Sequence, residues 1–429
     1  MSQHSRPRRP LAILGIGVAS ALLLAGCSTA EPSSGGDSSG GDVTLTFAYP
    51  KAGATTPWET MAEKYTEETG IKVEVEPIYI DGYDAAISTR LQSGNAPDLF
   101  LTEPGSGPKG LVTLGSAGLL GEVTGQAADL INSAETSAYG SDGKVYGFPL
   151  YNAPRAAVVF DGNLDKAGVQ WPDTISDMLA TCKTSKSNGY AFTLGQFGSS
   201  FTADGQALLI AASSVYANDP DWDAKRAAGD VTFSDTDGWR YAIQTLSDMY
   251  AAGCYQDGAE AAQGEFWTGV GAGETPSVLS LTTGEADIWK DLSQLLPNET
   301  TSVYAFPGQT ADDRRVVNSV KFTLSYAAAN ANSEAAKAYI DWLSQPENLQ
   351  QIADITGTVP AGEVTADSLE SVYEPIKSLV ADGKVISEPG LTWPNGVLAA
   401  MQEDVPGLFT GQKTVDQVLS DMDAAWAKS

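Results

Sequence analysis

Three cysteines, one histidine and 54 acids are the groups in this 429-residue chain best suited to chemistry, and 25 basic residues leave a formal charge of -29. The histidine, His4, stands at the extreme N-terminus. That position argues against a Ser/His/Asp triad and against a His-ligated zinc site. The chain has no CxxC pair, no phosphate-cradling loop of P-loop type, no dinucleotide fingerprint and no EF-hand loop. Its negative charge argues against nucleic acid, whose phosphates are neutralised by Lys and Arg. Paired carboxylates of the kind that hydrolyse glycosides cannot be singled out among so many acids, most of them spread over expected helix surfaces. Neither a metal nor a cofactor is expected. Function must therefore come from a different kind of chemistry.

The N-terminal segment has its own chemistry. Arg6, Arg8 and Arg9 precede an apolar run from Leu11 to Ala25, shorter than the roughly 20 residues a spanning helix needs; a short membrane anchor is the alternative to a signal-peptide core. The run ends in Leu24-Ala25-Gly26-Cys27, which resembles the lipobox of bacterial lipoproteins. That resemblance implies cleavage before Cys27 and a diacylglyceryl thioether on its sulfur. Losing residues 1–26 removes three arginines, His4 and no acid, so the charge moves from -29 to -32 and no histidine is left. Residues 27–42 then read as the lipidated cysteine and a flexible Ser/Gly tether. In an oxidising compartment the remaining thiols, Cys182 and Cys254, are expected to pair, the alternative being two buried free thiols.

The elements that position any site begin at Val43. Val43–Tyr49 alternates like a strand, Thr56-Pro57-Trp58-Glu59 reads as a capping box, and Trp58, Met61, Ala62 and Tyr65 share one helix face. Gly70 ends that helix, and Ile71–Val75 is a second alternating strand, which together make the strand–helix–strand unit of a parallel sheet. A helix is expected from about Tyr83 to Ser93, then a buried strand over Asp98–Leu101. Helices are also expected around Trp239–Tyr250, after Asn332, after Ser344-Gln345-Pro346-Glu347, and from Thr414 with Gln417 closing a capping box.

A series of landmarks runs in fixed order: Ser93–Leu99, Gly143–Leu150, Val303–Gly308, Glu334–Glu347, Gly357–Pro360 and Gly411–Thr414. Together they resemble the extracellular solute-binding proteins of ABC importers, in the maltose-binding-like sugar branch, over about residues 43–429. The resemblance implies an α/β, two-lobed periplasmic-binding-protein-like fold of type II, with a ligand cleft between lobes that close like a clamp. It implies chain crossings near Ala156–Phe160, Val303–Pro307 and Leu343. The first lobe would then hold 43–156 and 304–342, the second 157–303 and 343–429, with both paired cysteines in the second.

Ligands of open α/β sheets bind beyond the carboxyl ends of strands, and a sugar needs polar groups for its hydroxyls and an aromatic face for its C–H surface. Strand ends and the loop after an apolar run point to Tyr49, Glu103 and Gln196, and the family resemblance adds Tyr151, Asn152, Trp267, Glu285, Asn318 and Trp393 as implied contacts. For the aromatics, packing in the core is the competing role, and Glu285 could equally be a solvated surface acid. Gly271–Pro276 departs from the small Ala-Met-rich segment usual in the family, which bears on Trp267 and Glu285. The function implied is that of a monomeric, lipid-anchored receptor on the extracytoplasmic face of the cell membrane. It would capture a mono- or oligosaccharide for an ABC permease and perform no catalysis. A polyol, glycerophosphodiester or polyamine receptor, or a secreted carboxylate-dependent glycosidase, are the alternatives.

Overall fold

β1 (Thr44–Lys51) turns Leu45, Phe47 and Tyr49 into one core and pairs in parallel with β2 (Lys72–Tyr79), Thr44 facing Lys72 and Lys51 facing Tyr79. The helix Trp58–Thr69 carries the chain back between them. It buries Trp58, Met61, Ala62 and Tyr65 at helical spacing and ends at Gly70, whose φ of 76° frees its N–H to bond Thr66 O. The expected capping box takes another form: Pro57 occupies the N-cap position and no side chain caps the helix, because the Thr56 hydroxyl donates to the Glu59 carboxylate. The computed structural model describes residues 43–428 apart from 52–55, 108, 132–135, 199–201, 264–274, 276, 283–299, 321 and 363. Cys27, Trp267 and Glu285 lie outside the described residues.

β3 (Leu99–Thr102) joins β1 in parallel, and a helix over Ile80–Ser93 connects it to β2. Asp98, just before β3, is a structural hub. One carboxylate oxygen accepts from the Thr46 N–H and hydroxyl, both at 2.8 Å, and the other from Asn332 Nδ2 at 3.1 Å. Asn332 stands at the start of helix Ser333–Leu343, and its side chain does not cap it. Two further strands complete the sheet in the order β2-β1-β3-β11-β6, where β6 is Phe148–Pro149 and β11 is Thr323–Tyr326. β11 runs antiparallel to both neighbours, and the Thr102 hydroxyl bonds those of Thr323 (2.7 Å) and Ser325 (2.8 Å). A small hairpin of β4 (Gly140–Ser141) and β5 (Lys144–Val145) stands apart.

The second sheet is built on β7 (Tyr151–Phe160), a ten-residue strand buried along nearly all its length. It pairs antiparallel with β12 (Val359–Pro360), β10 (Val316–Ser319), β8 (Ser277–Thr282) and β9 (Thr301–Tyr304); β13 (Val385–Ser387) extends the sheet beyond β10. Because side chains alternate along a strand, Ala157 and Val159 enter one core while Ala156 faces another, lined by Val303, Tyr373 and Ile376. The first of these two cores is closed by helix Asp237–Ala252 through Trp239, Ile243, Leu246 and Met249. The C-terminal helix Val415–Trp426 completes it with Val418, Leu419 and Met422. The last helix starts with the expected capping box between Thr414 and Gln417. Cys182 and Cys254 form a disulfide.

Phe306 and Val317 belong to the β7 core, where β10 pairs with β7, and Val320 packs in the core of the first sheet. Leu349 and Ile352 of helix Pro346–Thr356 pack in that same first core.

Candidate functional site

Two regions carry the polar side chains of interest: the loop leaving β3, and β7 with the residues that contact it. The loop Glu103-Pro104-Gly105-Ser106 lies at the carboxyl end of the parallel strands. Glu103 is exposed there, beside a recess lined by Tyr83, Thr102 and Lys109. The buried Tyr83 hydroxyl stitches β1 and β3 behind that recess, accepting from Leu101 N–H at 2.8 Å and lying 3.2 Å from Ala48 O. Burial pushes its phenol well above the ordinary tyrosine range.

On β7, Arg155 points to Glu388 with 2.7 Å between guanidinium and carboxylate, the two side chains 21% and 10% exposed. The other Glu388 oxygen accepts from the Ser319 hydroxyl. Asp204, in helix Thr202–Ala211, lies within the field of Arg155 and bonds Gln402, yet its Oδ1 is buried without a partner. Arg155 Nε is buried and unpartnered as well. An incompletely satisfied buried polar cluster of this kind is costly. It lies on the strand that links the cores.

A family model described as "Bacterial extracellular solute-binding protein" matches residues 60–375. The chain belongs to that family. The melibiose/raffinose/stachyose-binding protein MelE of Bacillus subtilis is 23% identical to this solute-binding protein over 354 residues, covering 80% of this chain and 77% of the relative. A family 1 extracellular solute-binding protein from Bifidobacterium longum subsp. infantis superposes with a TM-score of 0.67 at 19% identity, over 91% of this chain and 100% of that one. RafE solved with raffinose gives 0.69 at 16% identity, over 90% and 99%. The fold is thus the two-lobed α/β architecture of type II periplasmic solute-binding proteins.

Among the described residues, the solute-binding protein's expected contacts fall into four groups. Glu103 is exposed at the β3 loop. Gln196 is buried in a segment clamped by Gln256, whose side chain accepts from Gly195 N–H at 2.9 Å and donates to Gly195 O. Tyr151, Asn152 and Asn318 cluster on β7 and β10, Asn318 Nδ2 donating to Asn152 Oδ1 at 2.8 Å. Asn152, only 3% exposed, also donates to Pro360 O and Gly362 O. This pinning makes it a brace between strands. Tyr49 and Trp393 are core side chains. The Tyr49 hydroxyl donates to Glu59 at 2.6 Å, and Trp393 lies among Trp222, Phe233, Trp239 and Trp426, so neither has an aromatic face free for stacking.

Arg155, Glu388 and Asp204 were not anticipated. Arg155 had a readable signal, as the sole charge in a ten-residue apolar run; Asp204 and Glu388 had none. Burial raises the Asp204 carboxyl to about 6, opposed by Arg155 and the Gln402 bond. A carboxyl whose folded pKa exceeds its unfolded value of 3.8 takes up a proton on folding. Its contribution is therefore most favourable below pH 3.8 and is lost as pH rises through about 6. Asp204→Asn is expected to stabilise the protein by on the order of 2 kcal/mol at pH 7 and to have little effect at pH 4. Urea midpoints of both proteins at the two pH values check this; an equal difference at both overturns it.

Proposed function

We propose that this protein is a lipid-anchored receptor that captures a carbohydrate outside the membrane and hands it to an ABC transporter permease. Capture, lobe closure and release make up the function, with no covalent step. The observation that carries the carbohydrate is the likeness to a protein named for binding melibiose, raffinose and stachyose, joined to a shared two-lobed fold. The lipobox-like Cys27 and its tether support the anchor. Among the described residues no helix is long and apolar enough to cross a membrane.

In this reading the first lobe comprises residues 43 to about 151 and about 320–352, and the second about 157–317 and 353–428. Glu103, Gln196, Trp267 and Glu285 are the proposed solute contacts. Tyr151 and Asn318 flank the cleft floor, near Arg155 and Glu388, while Tyr49, Asn152 and Trp393 hold the walls in place. A thermal-shift screen of mono- and oligosaccharides tests it: a ligand present at 100 times its dissociation constant adds about 2.7 kcal/mol of stability. A raised melting temperature with at least one sugar is expected. No shift with any saccharide, alongside a shift with a polyol, glycerophosphodiester or polyamine, would replace the ligand class.

A further inference from the structure

The segment Glu388–Trp393 is fastened to both lobes. On the second-lobe side, Glu388 is held by Arg155 and Ser319. Gly390 N–H lies 3.3 Å from Asp223 Oδ2, while Asp223 Oδ1 accepts from the Tyr216 hydroxyl at 2.6 Å. Trp393 is sunk in the second-lobe core. Between these anchors Leu391 leaves its own lobe: its side chain packs on the first-lobe core and its carbonyl accepts from Ser106 N–H at 3.0 Å. Gly105 makes that approach possible. It has a φ of 96°, and a Cβ there would stand 2.2 Å from Leu391 O and 3.0 Å from its carbonyl carbon, a clash of backbone against backbone. Gly105 N–H in turn donates to Ala138 O at 2.7 Å, which secures the loop from the first-lobe side.

We propose that Gly105 and Leu391 form a clasp that joins the lobes without any solute, and that both are positioning residues for capture. The contact consists of main chain and one aliphatic side chain, so its strength does not depend on what occupies the cleft. It lies beside Glu103, at the strand ends where the solute is read to bind. A receptor with a larger closed fraction binds more tightly, because apparent affinity scales with the fraction already competent. The coupling to capture rests on the receptor reading above; the clasp itself does not.

Hydrogen exchange on the full-length chain, with no sugar present, tests the clasp at the Ser106 amide. Slow exchange is expected in the wild type and at least tenfold faster exchange in Gly105→Val. Gly94→Ala is the control, since Gly94 also has a positive φ, 72°, but nothing within 4 Å of its Cβ position; it should leave Ser106 unchanged. Leu391→Ala, which keeps the backbone bond and loses the side-chain packing, should give an intermediate rate. Titration with raffinose and stachyose should show a dissociation constant raised at least tenfold in Gly105→Val. Wild-type Ser106 exchanging as fast as in Gly105→Val overturns the clasp, and equal affinities in the two proteins overturn its role in capture. Should the wild type bind neither sugar, the carbohydrate reading fails and the exchange rates alone decide the clasp.

Discussion

Trp393→Ala is expected to destabilise the second lobe by about 3–5 kcal/mol, with any loss of solute binding following from unfolding. Trp393 is 2% exposed. Its ring centroid lies 5.0 Å from Phe233, 5.4 Å from Trp239, and 6.2 Å from both Trp222 and Trp426, with steeply inclined planes. Aromatic pairs in such geometry add about 0.5–1.5 kcal/mol beyond the area they bury. Alanine would remove one member from several pairs and leave a cavity that surrounding rings cannot fill without leaving their own contacts. The indole Nε1 is buried without a hydrogen-bond partner, so Trp393→Phe relieves one unmet donor and should recover much of the loss. Urea unfolding followed by circular dichroism measures both variants. A Trp393→Ala protein of wild-type stability that had lost sugar binding would return this tryptophan to the ligand site.

The second large effect concerns the disulfide. Cys182 lies in helix Ile175–Ser187 and Cys254 immediately after helix Asp237–Ala252, 72 residues apart. Closing a loop of that length in the unfolded chain stabilises by about 4 kcal/mol in the chain-entropy model. The bridge also anchors the start of the segment that shapes the Gln196 turn, where Cys254 O accepts from Thr193 N–H at 2.9 Å and Ala259 O from Phe197 N–H at 2.9 Å. The double variant Cys182→Ser/Cys254→Ser is expected to unfold at markedly lower urea. Reductant should bring the wild type down to the same midpoint while leaving the variant unmoved. Equal midpoints for the oxidised wild type and the variant would show that the bridge constrains little.

The sequence disclosed local structure where the signal was local. Gly70 and Gly94 end helices at positive φ, and Thr414 with Gln417 makes its capping box, because each depends on residues within a single turn. The parallel unit of β1 and β2 was legible for the same reason. Long-range choices were hidden. Nothing near Asn332 says that Asp98 claims its side chain, and nothing near Val303 says that the chain stays with β7 until Ser319. The strand end that points to Tyr49 and the Gly/Pro loop that points to Trp393 do not tell a stacking platform from a packed ring. Their burial is set by neighbours distant in sequence, such as Trp222 and Trp239. Arg155 stood out in its strand, but its partners Glu388 and Asp204 come from segments whose approach is a tertiary fact.

The position of β11 governs the order in which this molecule can be made. This strand lies between β3 and β6, and its Thr323 meets Thr102 across 221 residues of chain. The other lobe is no earlier: Val418, Leu419 and Met422 close its core from the last helix. During vectorial synthesis, then, the first three-quarters of the chain can complete neither core, and non-local pairings of this kind form slowly. The same late strand leaves the β3 edge open in the nascent chain, where unpaired backbone invites misassociation. The wiring that delays both cores therefore also makes the interval before β11 arrives the most hazardous for the chain.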